Sequence, residues 1–231
     1  MQESNPFFET LEEIGETLRD PVPVTLSPEL IGLLSDQLYR SPSKAIEELV
    51  INGYDADADE ARIYVDDSGA NADFVVVYDN GSGMTYEGIA DLWKVGRPKP
   101  RTEHLTKHAD RKQIGKFGIG KLSTYAIANR VSYISKTDDH HLGVTINYND
   151  FRPKPDRTTT AVELQVREIS TFDQLWNDGT FRLAIERLGL GSDDVESESS
   201  WTIVILEDLK QKAHAMELGR LRWVLRTAMP M

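Results

Sequence analysis

Residues 42–56 constrain the fold more than any other stretch, because they read as a helix that can be left bare on neither of two faces. Ser41-Pro42-Ser43 supplies a start signal, with Pro tolerated in the first turn. Ile46, Leu49, Val50 and Gly53 are spaced for a packed stripe, while Glu48, Asn52 and Asp55 recur at helical spacing on a neighbouring face. Polar residues at such spacing ordinarily make a wet face. With an apolar stripe so close, one side is expected to meet a core and the other a pocket. A carboxylate can orient and deprotonate a water, and an amide oxygen is a hard ligand suited to Mg²⁺, so the trio has the parts for metal-assisted hydrolysis. Glu47 competes as the base, about 100° round the helix from Glu48.

The rest of the chain alternates irregularly between the two periods. A short amphipathic helix is expected around Phe7 to Leu18, an extended segment at Pro21 to Val24, and a helix from Ser27 with Leu30, Ile31, Leu33, Leu34 and Leu38 on its buried face. Ala61 to Asp66 and Phe74 to Tyr78 read as a hairpin across the turn cluster 67–71, and Tyr86 to Val95 as a helix. Further strands are expected at Val131 to Ser135, Gly143 to Tyr148, Ala161 to Val166 and Thr202 to Leu206. Leu122 to Ala128, Phe172 to Leu188 and Lys210 to Ala228 read as helices, and the acidic, serine-rich stretch Ser192 to Ser200 as a solvated loop. This order of elements supports an α+β class.

Two glycine-bearing segments flank a long loop. Asp79-Asn80-Gly81-Ser82-Gly83-Met84 follows an apolar strand, so the Asp79 carboxylate should be fixed at the strand end while Gly81 and Gly83 let a ligand approach the backbone. The same residues are also ordinary turn chemistry. Gly96 to Gln113 is polar, basic and aperiodic, and a loop of that length inside a compact domain is usually functional. Gly115, Gly118 and Gly120 then open a helix, where free backbone N–H groups attract phosphate. Arg97, Lys99, Arg101, Lys107, Arg111, Lys112, Lys116 and Lys121 make this stretch cationic inside a chain of formal charge -12. Gly115 and Gly120-Lys121 nearly spell a P-loop, but Leu122 replaces the required Ser or Thr and no buried strand precedes. The dinucleotide fingerprint fails too, at Ser123.

Taken together, Glu48-Leu49-x-x-Asn52-x-x-Asp55-Ala56, Asp79-x-Gly81-x-Gly83-Met84 and Gly115-Lys116-Phe117-Gly118-Ile119-Gly120-Lys121 resemble, in order, the three motifs of the GHKL ATPases. That superfamily includes gyrase B, the ninety-kilodalton heat-shock chaperones, sensor histidine kinases, MutL and MORC-like proteins. The resemblance covers roughly Val24 to Leu209. It implies a Bergerat-type two-layer α/β sandwich with a mixed, mostly antiparallel sheet and helices on one face. It also implies ATP and Mg²⁺ as ligands, Glu48 as general base, Asn52 as the metal-holding residue and Asp79 as the adenine reader. Asp55, Gly81, Gly83, Met84 and the segment from Gly115 to Lys121 complete the nucleotide contacts. Thr202 matches the closing-strand threonine, although Trp201 stands where the family usually has Gly, and Thr160 is the rival assignment.

The implied organisation is a lead-in over 1–23 and an ATP-binding domain over 24–231, with a lid at about 96–114. A following transducer domain is not expected within these 231 residues, so the chain reads as an N-terminal ATPase portion. The function expected is Mg²⁺-dependent ATP hydrolysis, slow in isolation, driving lid closure and self-association in a chaperone-like or clamp-like protein. Alternatives of another class are a nucleotide sensor without turnover and a histidine-kinase-type catalytic domain. The acidic balance gives no indication of nucleic acid as a partner. The chain has no Cys, which fits a reducing compartment, and no apolar run of membrane-spanning length, so a cytoplasmic location is expected.

Overall fold

A computed structural model describes residues 7–17, 20–26, 41–66, 74–92, 111, 114–115, 120–138, 140–151 and 160–228. In chain order the elements are α1 (Phe7–Ile14), β1 (Glu16–Thr17), β2 (Val22–Leu26), α2 (Pro42–Asp55), β3 (Ala61–Val65), β4 (Phe74–Asp79) and α3 (Tyr86–Leu92). A 3₁₀ helix (Gly120–Ala126) leads into β5 (Ala128–Thr137) and β6 (His140–Asn147), and a second 3₁₀ turn (Tyr148–Phe151) precedes β7 (Thr160–Leu164) and β8 (Arg167–Ile169). The chain then continues through α4 (Phe172–Asn177), α5 (Gly179–Arg187), α6 (Ser192–Glu196), β9 (Ser200–Leu209), α7 (Gln211–His214) and α8 (Leu218–Ala228). The helix expected from Ser27 lies outside the described residues.

Seven strands form one sheet in the order β1-β8-β6-β5-β9-β4-β3, and each described ladder is antiparallel. β2 and β7 pair separately, also antiparallel. The β3–β4 hairpin has the expected strands, with Ala61 opposite Asp79 and Val65 opposite Val75. Alternation then separates two cores. Ala45, Ile46 and Leu49 of α2 and Leu221 of α8 pack on Val75, Val77, Val204 and Leu206. On the opposite side, Phe74, Val76, Tyr78, Trp201, Ile203 and Ile205 pack against Phe7, Leu11, Phe172, Leu175, Phe181 and Val195.

Helices were expected on one face, and the structure adds a second helical cover made by α1, α4, α5 and α6. The reason lies in the central strands: β4 is buried at every position, so both of its faces need a cover. The expected lead-in is part of that cover. Phe7 is fully buried, and its N–H donates to Glu207 Oε1 at 2.9 Å.

Several boundaries differ for local reasons. The first helix stops at Ile14, short of Leu18, because Gly15 passes so close to Arg167 that a Cβ there would lie 2.5 Å from the Arg167 Cβ. The helix expected over Phe172 to Leu188 breaks at Asp178, which caps α5 by accepting from Phe181 N–H at 2.6 Å. Lys210 to Ala228 divides into α7 and α8, and the helix expected over Leu122 to Ala128 is a 3₁₀ helix that starts at Gly120. Among the described residues no helix is long and apolar enough to cross a membrane.

Candidate nucleotide site

Three strands place a transverse row of side chains on the α2 face of the sheet. Register pairs Val131 with Leu206 and Leu206 with Val75, then Tyr133 with Val204 and Val204 with Val77. The next row is Ser135, Thr202 and Asp79. The apolar core therefore ends in a polar row at one end of the sheet, and the chain leaves β4 there through the glycine turn. Ser135, Thr202 and Asp79 are all buried.

The Asp79 carboxylate is the most strained electrostatic feature of this row. Its pKa is pushed from the ordinary 3.8 up to about 7, chiefly because burial penalises the charged form; the Gly81 N–H, donating to Oδ1 at 3.0 Å, opposes the shift. Among the described residues that amide is its one hydrogen-bond donor. Gly53 of α2 lets the helix come down onto the carboxylate, since a Cβ there would lie 2.8 Å from Asp79 Cβ. Gly81 is similarly required, because its Cβ would lie 2.8 Å from both Asp79 Oδ1 and the Ala56 carbonyl oxygen. Gly83 has φ +66°, and any side chain would overlap the Lys136 carbonyl. Met84 N–H donates to Ser135 Oγ at 2.7 Å, and Ser82 N–H to the Ala56 carbonyl at 2.8 Å. The turn is thus wedged between α2 and β5.

The segment Ser192 to Ser200, expected to be a solvated loop, instead carries α6 and braces this turn. Ser200 Oγ donates to the Gly81 carbonyl at 2.7 Å, and Lys136 Nζ to the Glu196 carbonyl at 2.7 Å. Trp201 points away from the polar row into the second core, where it packs beside His141 at a ring distance of 5.9 Å. The departure from the family pattern at position 201 is therefore absorbed on the far side of the sheet. Thr160, by contrast, lies at the end of β7 opposite Leu26, in the two-stranded sheet.

The other end of the site lies along α2. Glu47 is buried and gripped by Lys44, with Nζ 2.6 Å from Oε2. Glu48 is half-buried, and its pKa is raised, first by burial and then by the neighbouring negative charge of Glu47; Lys44 opposes this and Asp55 adds to it. Asn52 is half-buried between Glu48 and Asp55 along the helix. Asp55 holds the start of the glycine segment: Oδ1 accepts from Ile114 N–H and Oδ2 from Gly115 N–H, both at 2.8 Å. A second clamp comes from Arg111, whose guanidinium lies 4.5 Å from the Tyr54 ring centre and donates to the Ala58 carbonyl at 2.6 Å. Lys116, Phe117, Gly118 and Ile119 lie outside the described residues; Gly120 and Lys121 begin the 3₁₀ helix.

α2 therefore brings Glu48, Asn52, Asp55 and Gly53 together with the Asp79 turn, Thr202 and Gly115. Ser135 and Arg111 join this group without a spacing signal to announce them. Ser135 is marked in the sequence just by being a small polar residue in an apolar strand, and Arg111 is one cation among many. An amide oxygen at Asn52 suits a cation shared with phosphate, which is how Mg²⁺ is ordinarily held. Among the described residues no cluster of three or more His, Asp or Glu side chains could hold a metal by itself.

The matching part is 30% identical over 128 residues to HgiDII of Herpetosiphon aurantiacus, provisionally named a type II restriction enzyme, covering 55% of this chain and 20% of that protein. It is 30% identical over 128 residues to the chaperone protein HtpG of Bordetella avium, and 30% over 129 residues to HtpG of Halorhodospira halophila, covering 47% of this chain and 20% of each relative. The chain thus spans about a fifth of the length of these relatives. The sequence pattern of the histidine kinase-, DNA gyrase B- and HSP90-like ATPases matches residues 39–180, more than half of the chain and all three motif regions, and the chain belongs to that family.

Proposed function

We propose that this chain binds ATP between α2, the Asp79 turn and the segment from Gly115 to Lys121, and hydrolyses it with Glu48 as general base. The observation that carries this reading is the buried Asp79 carboxylate, served among the described residues by one backbone donor and facing α2 across Gly53. Such a group calls for a further donor, and the exocyclic amine of adenine supplies one. Thr202 completes the polar row against the base, with the backbone of Gly81, Gly83 and Met84 beside it.

At the other end, Lys116, Phe117, Gly118, Ile119, Gly120 and Lys121 receive the triphosphate, and Asp55 fixes where that segment starts. Asn52 is the residue suited to Mg²⁺, which neutralises phosphate charge when bound. Glu48 accepts a proton from water as the water oxygen bonds to the γ-phosphorus; the bond from phosphorus to the bridging oxygen breaks and leaves ADP and phosphate. Its raised pKa makes it a better base than an exposed glutamate. Closure of the lid at 96–114 sets the rate in this scheme. By likeness to HtpG, the nucleotide drives self-association and a chaperone-like or clamp-like cycle in the full-length protein.

Mg²⁺-dependent ATP turnover and ATP affinity test the reading in the wild type, Glu48→Ala and Asp79→Asn. Glu48→Ala is expected to lose turnover by roughly 10²- to 10⁴-fold with binding kept, and Asp79→Asn to lose binding. Binding without hydrolysis in the wild type would make the domain a nucleotide sensor; no ATP binding would overturn the proposal.

A further inference from the structure

The chain is acidic, with a formal charge of -12, yet its residues 210–226 carry Lys210, Lys212, Arg220, Arg222 and Arg226 against a single acidic residue, Glu217. The three arginines all fall on α8. This helix turns Leu221 into the core beside α2 and buries Val224, while Arg220, Arg222, Trp223 and Arg226 are exposed. One of its faces is committed to the core and the other is open.

Trp223 is 66% exposed, the most exposed large hydrophobic side chain among the described residues. A solvated charged face accounts for the arginines but not for an indole set among them. Arg220 comes three residues before Trp223 and Arg226 three after it, so a guanidinium lies about one turn from the ring in each direction on the same side of the helix. Arg222 and Arg226 are about 6 Å apart along the axis. Among the described residues none of the three guanidiniums meets a carboxylate.

We infer that this face of α8 is a binding strip for single-stranded nucleic acid, with Trp223 as the platform on which a base stacks and Arg220, Arg222 and Arg226 as phosphate contacts. A guanidinium is planar, stays charged and pairs bidentately with phosphate, and an open indole offers a surface to any base. An acidic peptide would answer the charge and leave the ring unused, and a second copy of this helix would bring arginine against arginine. A bilayer would call for the apolar stripe of α8, which is taken up inside the protein by Leu221 and Val224. The strip shares no residue with the proposed nucleotide site, so the inference stands independently of that reading.

The experiment follows the fluorescence anisotropy of end-labelled oligothymidylate as the full chain is added, over a series of salt concentrations. In the wild type, the logarithm of the affinity is expected to fall against the logarithm of salt with a slope of about -2, from three phosphates at about 0.7 each. Trp223→Ala weakens binding roughly tenfold with the slope kept, and Trp223→Phe retains most of the affinity. The double variant Arg220→Ala, Arg226→Ala flattens the slope to about -0.7. All of these side chains are exposed, and melting temperatures check that the fold is kept. Should Trp223→Ala unfold, Arg222→Glu is the second probe, and an unchanged affinity in it overturns the inference. No oligothymidylate binding at low salt, or an affinity unchanged in the α8 variants, also overturns it. Polyglutamate bound as tightly as the oligonucleotide would make the partner an acidic protein, and Trp223-dependent binding to phosphatidylglycerol vesicles without oligonucleotide binding would make it a lipid surface; either result overturns the inference.

Discussion

The two ends of the proposed nucleotide site are built differently. The Asp79 end is a row across three antiparallel strands, Ser135, Thr202 and Asp79, buried on one side by α2 and braced on the other by a second helical layer. The Glu48 end is a half-exposed helix face joined to the loop by two local clamps, Asp55 to Gly115 and Arg111 to Tyr54. Strand register cannot slip without turning every side chain over, so the first end is rigid. The second depends on a few hydrogen bonds that can break one at a time. In the proposed reading, recognition would then sit at the preformed end and hydrolysis at the end held by a few local contacts.

The contrast can be broken most forcefully at Asp79. A carboxyl whose folded pKa is raised to about 7 binds a proton that the unfolded chain has already lost near pH 4. Stability should therefore fall as pH rises from about 4 to 7, by at most about 4 kcal/mol, and the cost persists above that window. Asp79→Asn removes the titration, so thermal unfolding of the nucleotide-free chain should show the variant more stable than wild type at pH 8 and close to it at pH 4. A variant that melts below wild type at pH 8 would mean that the carboxylate is satisfied in solution.

Next in size is Gly83→Ala, which meets both a positive φ and the Lys136 carbonyl. A loss of about 2–3 kcal/mol is expected in chemical denaturation, and full stability would show the turn to be less tightly wedged. At the loop end, Asp55→Ala should cost roughly tenfold in ATP affinity by releasing two backbone donors, with adenosine affinity unchanged; parallel titrations with the two ligands read this directly. Arg111→Ala is the smallest, about 1 kcal/mol or less, and should appear as faster proteolysis at residues 96–114 with the unfolding midpoint nearly kept. If Asp55→Ala weakened adenosine as much as ATP, the two ends would not be separable.

Much of this site was legible beforehand because its parts are local. Glu48, Asn52 and Asp55 share a helix side by spacing alone, and Asp79 to Met84 announces a strand end followed by a turn that needs glycine. Between Glu47 and Glu48, the motif match favours Glu48, with Glu47 one position off it. In the structure Lys44 contacts Glu47, which is buried, while Glu48 lies half-buried. Thr202 and Thr160 both sit in alternating strands, and only pairing distinguishes the one beside Asp79.

By itself, then, the sequence determined the motif helix, the glycine turn after β4, the hairpin before it and the family to which these belong, since each follows from spacing within a few residues. The tertiary structure alone decided what comes from chain segments far apart: the second helical cover that buries Trp201, the bracing of Gly81 by Ser200, and the meeting of Ser135 with Met84 and Thr202. Those contacts span dozens of residues or more and depend on strand order and register. Burial of apolar surface on both sides of β4 and β9 selects that order, and no local pattern in the chain encodes it.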